Sequence, residues 1–126
     1  ENEWHWDLRC DLTMPRVGTL SARNVPERGL RLPSSGVQVR LRQGGERYRP
    51  AGSRHSRSVK NLLQEKGVPP WLRDRLPLLF VGGELAAVAD LCVCEGFQSA
   101  PGEQGVCLRW LPYEGELSPA DSESQL

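Results

Sequence analysis

The 126-residue chain has no apolar run near the roughly 18–20 residues that cross a bilayer, so no helical membrane span is expected. It lacks a Gly-x-x-x-x-Gly-Lys-Ser/Thr loop, a Gly-x-Gly-x-x-Gly loop, a His-Glu-x-x-His pair and a Gly-x-Ser-x-Gly elbow. Histidine is scarce. His5 and His55 stand far apart in sequence, and neither adjoins a recognisable nucleophile. None of the four cysteines (Cys10, Cys92, Cys94, Cys107) forms a Cys-x-x-Cys pair, so they read as reduced core thiols of a cytosolic protein rather than as metal ligands. The acidic residues of the last third (Glu84, Asp90, Glu95, Glu103) are scattered singly, without a metal-binding cluster. Asp90 interrupts an apolar run and reads as a bulge, a strand end or a solvent-facing position. Catalysis by this chain alone is not expected, and neither is a resident metal or cofactor. The opening Glu1-Asn2-Glu3 has no basic leader region, and a start without Met suggests a piece of a longer polypeptide or a trimmed one.

What the chain has is segregated charge. Sixteen basic and sixteen acidic residues give a formal net charge of zero. Residues 1–37 balance, residues 38–75 hold ten basic groups against three acidic, and residues 76–126 hold one basic group against eight acidic. The whole-chain balance therefore says little about partners. The length suits one domain over 1–117 with its own core, and the polar, acidic residues 118–126 read as a flexible tail.

Residues 4–12 alternate like a strand, with Trp4, Trp6, Leu8 and Cys10 on one face and His5, Asp7 and Arg9 on the other. Short strands are expected at 17–22, 30–32 and 37–42, the last with Val37, Val39 and Leu41 inward and Gln38, Arg40 and Arg42 outward. A helix over about 57–66 has Ser56 or Ser58 as its N-cap, Val59, Leu62 and Leu63 as its apolar stripe and Gly67 as its stop. Pro70 suits the first turn of a short second helix to residue 75. Residues 78–81, Gly82-Gly83 and 85–94 read as a hairpin, and 106–111 as a final strand. The fold class is α+β, mostly antiparallel.

The informative stretch is residues 40–79, which reads as an anion-binding surface. Arg40 and Arg42 share one strand face. Arg47 and Arg49 share another, with Tyr48 pointing away. The Gly44-Gly45 and Gly52 turns are expected to leave backbone N–H groups accessible. Arg54, His55 and Arg57 crowd a helix start, where cations are unfavourable unless a phosphate joins them. Lys60 continues the stripe. Ordinary salt bridges to the acidic last third are the alternative. Tyr48 and Trp71 could stack on bases, but core positions are expected for both. Cations set by turns suit the backbone of a folded, double-helical RNA better than a single strand.

The same stretch resembles the C-terminal domain of bacterial tRNA(Ile)-lysidine synthetases. The shared pattern is V-x-V-R-x-R-x-G-G-E-R-x-R-P-x-G at Val37 to Gly52, then S-x-K-x-L-L-Q-E-x-G-V-P-P-W-x-R-x-R-L-P-L-L from Ser58, then G-x-E-L-x-A-V-A at Gly82 to Ala89. Residues 1–36 match more loosely. The resemblance implies a sandwich-like fold similar to a phenylalanyl-tRNA synthetase β-chain domain. It also implies a parent ligase that uses ATP and magnesium to adenylate the wobble cytidine of a minor isoleucine tRNA and attach lysine. The family's Ser-Gly-Gly-x-Asp-Ser motif, which lies in its N-terminal catalytic domain, is missing here. This chain would then be the cytoplasmic tRNA-recognition part, holding the tRNA body or acceptor stem beside that catalytic domain, with no catalytic residue or cofactor of its own. By the resemblance Arg40, Arg42, Arg47, Arg49, Arg57, Lys60 and Arg73 fall on basic positions, and Gly44, Gly45, Pro50, Pro69, Pro70 and Trp71 on structural ones. His55 inherits nothing, and Asp90 departs from a commonly small residue. With Arg54 added from its place at the helix start, the expected RNA-binding set has eight cations. The competing reading is a protein-interaction domain that docks this strip on an acidic surface. A hydrolase using His55 is a third.

Overall fold

The structure, a computed structural model, describes residues 2–113. The expected tail at 118–126 lies outside the described residues. Trp6 ends the first strand, β1 (Glu3–Trp6), because the chain bends at Leu8, whose φ of 67° no strand tolerates. The expected strand over 4–12 therefore splits, giving β2 (Leu12–Met14) after the bend, and Cys10 is exposed rather than inward. β3 (Gly18–Asn24), β4 (Leu30–Arg31) and β5 (Val37–Leu41) follow. In β5, Val37 and Val39 are buried while Gln38 and Arg40 stay half-buried, as its alternation requires.

A hairpin of β6 (Arg47–Tyr48) and β7 (Arg57–Ser58) leads directly into α1 (Val59–Glu65). Ser58 is the N-cap, its Oγ accepting from the Asn61 N–H at 3.1 Å, and Gly67 follows the helix at φ 70°. Pro70 opens the short α2 (Pro70–Arg73), which ends before residue 75. β8 (Pro77–Val81) and β9 (Glu84–Val88) join through Gly82-Gly83, both at positive φ, the geometry a two-residue hairpin loop requires. The expected long strand over 85–94 breaks at Ala89 (φ 46°), and β10 (Cys92–Val93) turns back on β9. Asp90 sits exposed in that turn and accepts the Trp110 N–H of β11 (Gly105–Pro112) at 3.0 Å.

All pairings are antiparallel. One sheet runs β1-β5-β8-β9-β10, a second β2-β3-β11-β4, and β6-β7 stands as a two-stranded ribbon. Leu78 and Leu79 are both buried, so β8 is covered on both faces. One apolar cluster joins Leu20, Leu30 and Val106 of the second sheet, Val37 and Val39 of the first, and Val59, Leu62 and Leu63 of α1. The molecule is α+β, as the pattern of short strands and one main helix indicated. Gly29 and Gly105 mark the place where the 25–30 turn crosses β11. A Cβ on Gly29 would collide with the Val106 carbonyl, and one on Gly105 with the Arg28 carbonyl.

This packing sets a stability expectation. Leu63, fully buried on α1, should cost about 2–5 kcal/mol when cut to Ala, whereas exposed Lys60→Ala should stay within about 0.5 kcal/mol. Urea midpoints at unchanged slope check both values.

Candidate nucleic-acid interface

The basic segment is held between the edge of the first sheet and the start of α1. Residues 49–51 run alongside β10: Glu95 N–H donates to the Arg49 carbonyl at 2.7 Å, and Ala51 N–H to the Val93 carbonyl at 3.1 Å. On the other side the Val59 N–H donates to the Glu46 carbonyl at 3.0 Å. Tyr48 is buried, 3% exposed, between exposed Arg47 and Arg49, so both guanidinium groups leave the same side of the ribbon. Burial raises the Tyr48 pKa and pushes the Cys94 thiol up to about 12, so neither is poised to ionise near neutrality.

Two carboxylates shape the turns. Glu46 accepts the N–H groups of Gln43 at 2.7 Å and Gly44 at 2.9 Å. Partial burial would raise its pKa, but these N–H groups and Arg42 outweigh it and hold Glu46 below the ordinary value. Glu95 accepts the Gly52 N–H at 2.6 Å and lies in the field of Arg49, and its pKa is lowered, first by that N–H and then by Gln98. The N–H groups of Gly44 and Gly52, expected to be open to an anion, are thus already occupied by the protein's own carboxylates. The start of α1 is similarly engaged, with the Val59 and Asn61 N–H groups bonded.

The eight candidate cations divide evenly. Arg40 is locked: its Nε meets Glu3 at 2.7 Å, its Nη2 meets Gln38 at 2.8 Å, and its guanidinium lies 4.8 Å from the Phe80 ring centroid. Arg42, its side chain only 12% exposed, faces Asp74 at 3.7 Å. Arg57 bonds Glu65, which raises the pKa of the guanidinium. Arg73 donates through Nε to the Val68 carbonyl at 2.8 Å. The other four are exposed and form no ion pair among the described residues: Arg47, which touches only Ser56 at 3.2–3.3 Å, Arg49, Arg54 and Lys60.

The two arginine pairs do not sit on neighbouring strands, because β5 belongs to the first sheet and β6 to the ribbon. The carboxylates that lock Arg40, Arg42 and Arg57 come from residues 3–74, not from the acidic last third. His55 is engaged through its backbone with Ser53, and the His5 ring with the Ser35 carbonyl at 3.0 Å. Trp71, expected in the core, is 72% exposed. The sequence reasoning also missed the part played by Glu46 and Glu95. Glu46 had a legible signal, an acid directly after Gly44-Gly45, whereas Glu95 is distant in sequence from the turn it holds.

The free cations lie outside a cleft of about 780 Å³ that Asp7, Arg9, Arg23 and Leu32 help to line. Among the described residues no group of three or more His, Cys, Asp or Glu side chains could hold a metal ion.

Glu46→Gln should lower stability by about 1 kcal/mol at pH 7, modest because the carboxylate is partly solvated. The folded-state pKa is lowered, so that stability is present above the ordinary value of 4.5 and fades as pH falls through the folded value. Thermal melts of both proteins between pH 7 and pH 3 should therefore converge at the acid end.

Comparisons with known proteins identify the family. The profile of the family described as "TilS substrate C-terminal domain" matches residues 37–110. A tRNA(Ile)-lysidine synthase of Coxiella burnetii is 41% identical over 103 residues, 79% of this chain and 23% of that protein. One from Azoarcus is 46% identical over 80 residues, covering 64% of this chain and 16% of that protein. The chain thus spans about a quarter or less of the curated relatives it matches. A crystal structure of a TilS C-terminal domain superposes with a TM-score of 0.55 at 15% identity, covering 87% of this chain and 97% of that one, a likeness of fold. A match through β5, the basic ribbon, both helices and most of β11 leaves one assignment: the chain belongs to the TilS substrate C-terminal domain family.

Proposed function

We propose that this domain grips the sugar–phosphate backbone of a tRNA, a minor isoleucine tRNA on the family reading, and presents it to a catalytic domain of the same polypeptide. That catalytic domain would ligate lysine to the wobble cytidine using ATP and magnesium, in the cytoplasm, and this domain would supply no catalytic group. The relatives' name, tRNA(Ile)-lysidine synthase, supplies the substrate. The observation that carries the reading is that Arg47, Arg49, Arg54 and Lys60 are exposed and form no ion pair among the described residues, whereas the other four are held by neighbours.

Lys60 stands in the first turn of α1, which has no acidic residue, so the helix carries a cation where its dipole favours an anion. A polyanion resolves that conflict. Arg47, Arg49, Arg54 and Lys60 make the direct phosphate contacts in this reading. Arg40, Arg42 and Arg57, each paired with a carboxylate, and Arg73, bonded to the Val68 carbonyl, hold the frame. Backbone contacts of this kind position an RNA helix without reading its sequence.

Arg47→Glu combined with Arg49→Glu should weaken tRNA binding by the full polypeptide roughly 10- to 100-fold at about 0.1 M salt. The slope of log affinity against log salt should flatten by about two units, one per lost phosphate contact. The melting midpoint should hold, because both side chains are exposed. Unchanged tRNA affinity, or loss of a protein contact in its place, would favour docking of the strip on an acidic protein surface.

A further inference from the structure

We propose that Trp71 is a stacking platform for an unpaired nucleobase, a contact additional to the phosphate grip and resting on the reading that this domain binds RNA. Trp71 is the most exposed large apolar side chain among the described residues, ahead of Leu111 and Leu32. Its backbone is held on both sides. Pro69 and Pro70 fix the approach, the Leu72 N–H bonds the Pro69 carbonyl at 2.9 Å, and the Arg75 N–H bonds the Leu72 carbonyl at 3.1 Å. Arg73 reaches back to the Val68 carbonyl, and Leu72 packs against the core. The indole is thus carried on a preorganised turn and left in water, which core packing does not explain.

Its surroundings choose the occupant. Within five residues along the chain stand Lys66, Arg73 and Arg75, against the single carboxylate of Asp74, which faces Arg42. The other exposed large apolar residues lie elsewhere, Leu32 after β4 and Leu111 on β11. Half-buried Val68, Pro69 and Leu72 and exposed Pro70 adjoin Trp71, but a protein interface is depleted of charge at its core, and three cations stand close along the chain here. A nucleobase needs only a π face with cations near its flanking phosphates. Bases within a duplex hide both faces against their neighbours, so the ring is offered to a base outside the paired helix. α1 rises about 10 Å over its seven residues, and Trp71 follows its far end from Arg57.

The test uses the full polypeptide with two probes, a blunt RNA duplex and the same duplex carrying a short single-stranded 3′ extension. Wild type should bind the extended duplex roughly tenfold more tightly than the blunt one. Trp71→Ala and Trp71→Leu should lose that gain, Trp71→Phe should keep most of it, and all should bind the blunt duplex with an unchanged salt slope. Indole emission should be quenched by the extended duplex in wild type and less so in Trp71→Phe, the difference between the two isolating Trp71 from the other indoles of the polypeptide. Equal gains in wild type and Trp71→Ala, or a full gain in Trp71→Leu, would overturn the proposal. Failure of the phosphate grip would appear separately, as salt-independent binding of the blunt duplex, while the gain from the extension decides on Trp71 in either case.

Discussion

The basic surface depends on two carboxylates that bind backbone amides instead of guanidinium groups. Glu46 closes the turn at Gly44-Gly45, and Glu95 ties Gly52 to the strand beside it. Each holds a loop that must adopt positive φ at glycine, and each is used up locally as an acceptor. Arg47 and Arg54 flank these loops without a carboxylate partner, and Arg49 feels Glu95 only as a field. Had either acid swung onto an arginine, the turn would have lost its anchor and the surface its charge. The constraint thus joins local backbone geometry to surface potential, and the potential is what a polyanion meets first.

Around that pivot the domain separates cations that hold structure from cations that face outward. Arg40 is stretched between Glu3 and the Phe80 ring, which fastens β1 to β5 and covers part of β8. Arg57 fastens the ribbon to the last turn of α1 through Glu65. Arg47 and Arg49 need the same ribbon only as a mount, with buried Tyr48 setting their common direction. One residue type, arranged by one alternation, therefore does two jobs according to whether a carboxylate falls within reach.

Much of this was legible from local pattern. The Val37/Val39 alternation, the Ser58 cap, the Gly67 stop and the Gly82-Gly83 hairpin are each determined by neighbours within a few residues, and the structure shows each. What failed was set at longer range or by a rare backbone state. The strand expected over 4–12 breaks because Leu8 takes a left-handed conformation that periodicity does not signal. The strand over 85–94 breaks at Ala89 for the same reason. The alternative of salt bridges to the acidic last third does not hold for Arg40, Arg42 and Arg57, which meet Glu3, Asp74 and Glu65 because strand register and helix spacing bring them close. The type of Trp71 suggests a core position, yet it stands exposed in α2, directly after Pro69 and Pro70.

In the proposed grip Arg47, Arg49 and Arg54 meet phosphate, while Arg40 and Arg57 stay with Glu3 and Glu65. Arginine-specific chemical modification, mapped by mass spectrometry with and without bound tRNA, tests it residue by residue. The expected result is rapid modification of Arg47, Arg49 and Arg54 in the free protein and strong protection of all three by tRNA, with Arg40 and Arg57 slow in both states. Equal modification of the three with and without tRNA, at a concentration where tRNA is bound, would contradict it.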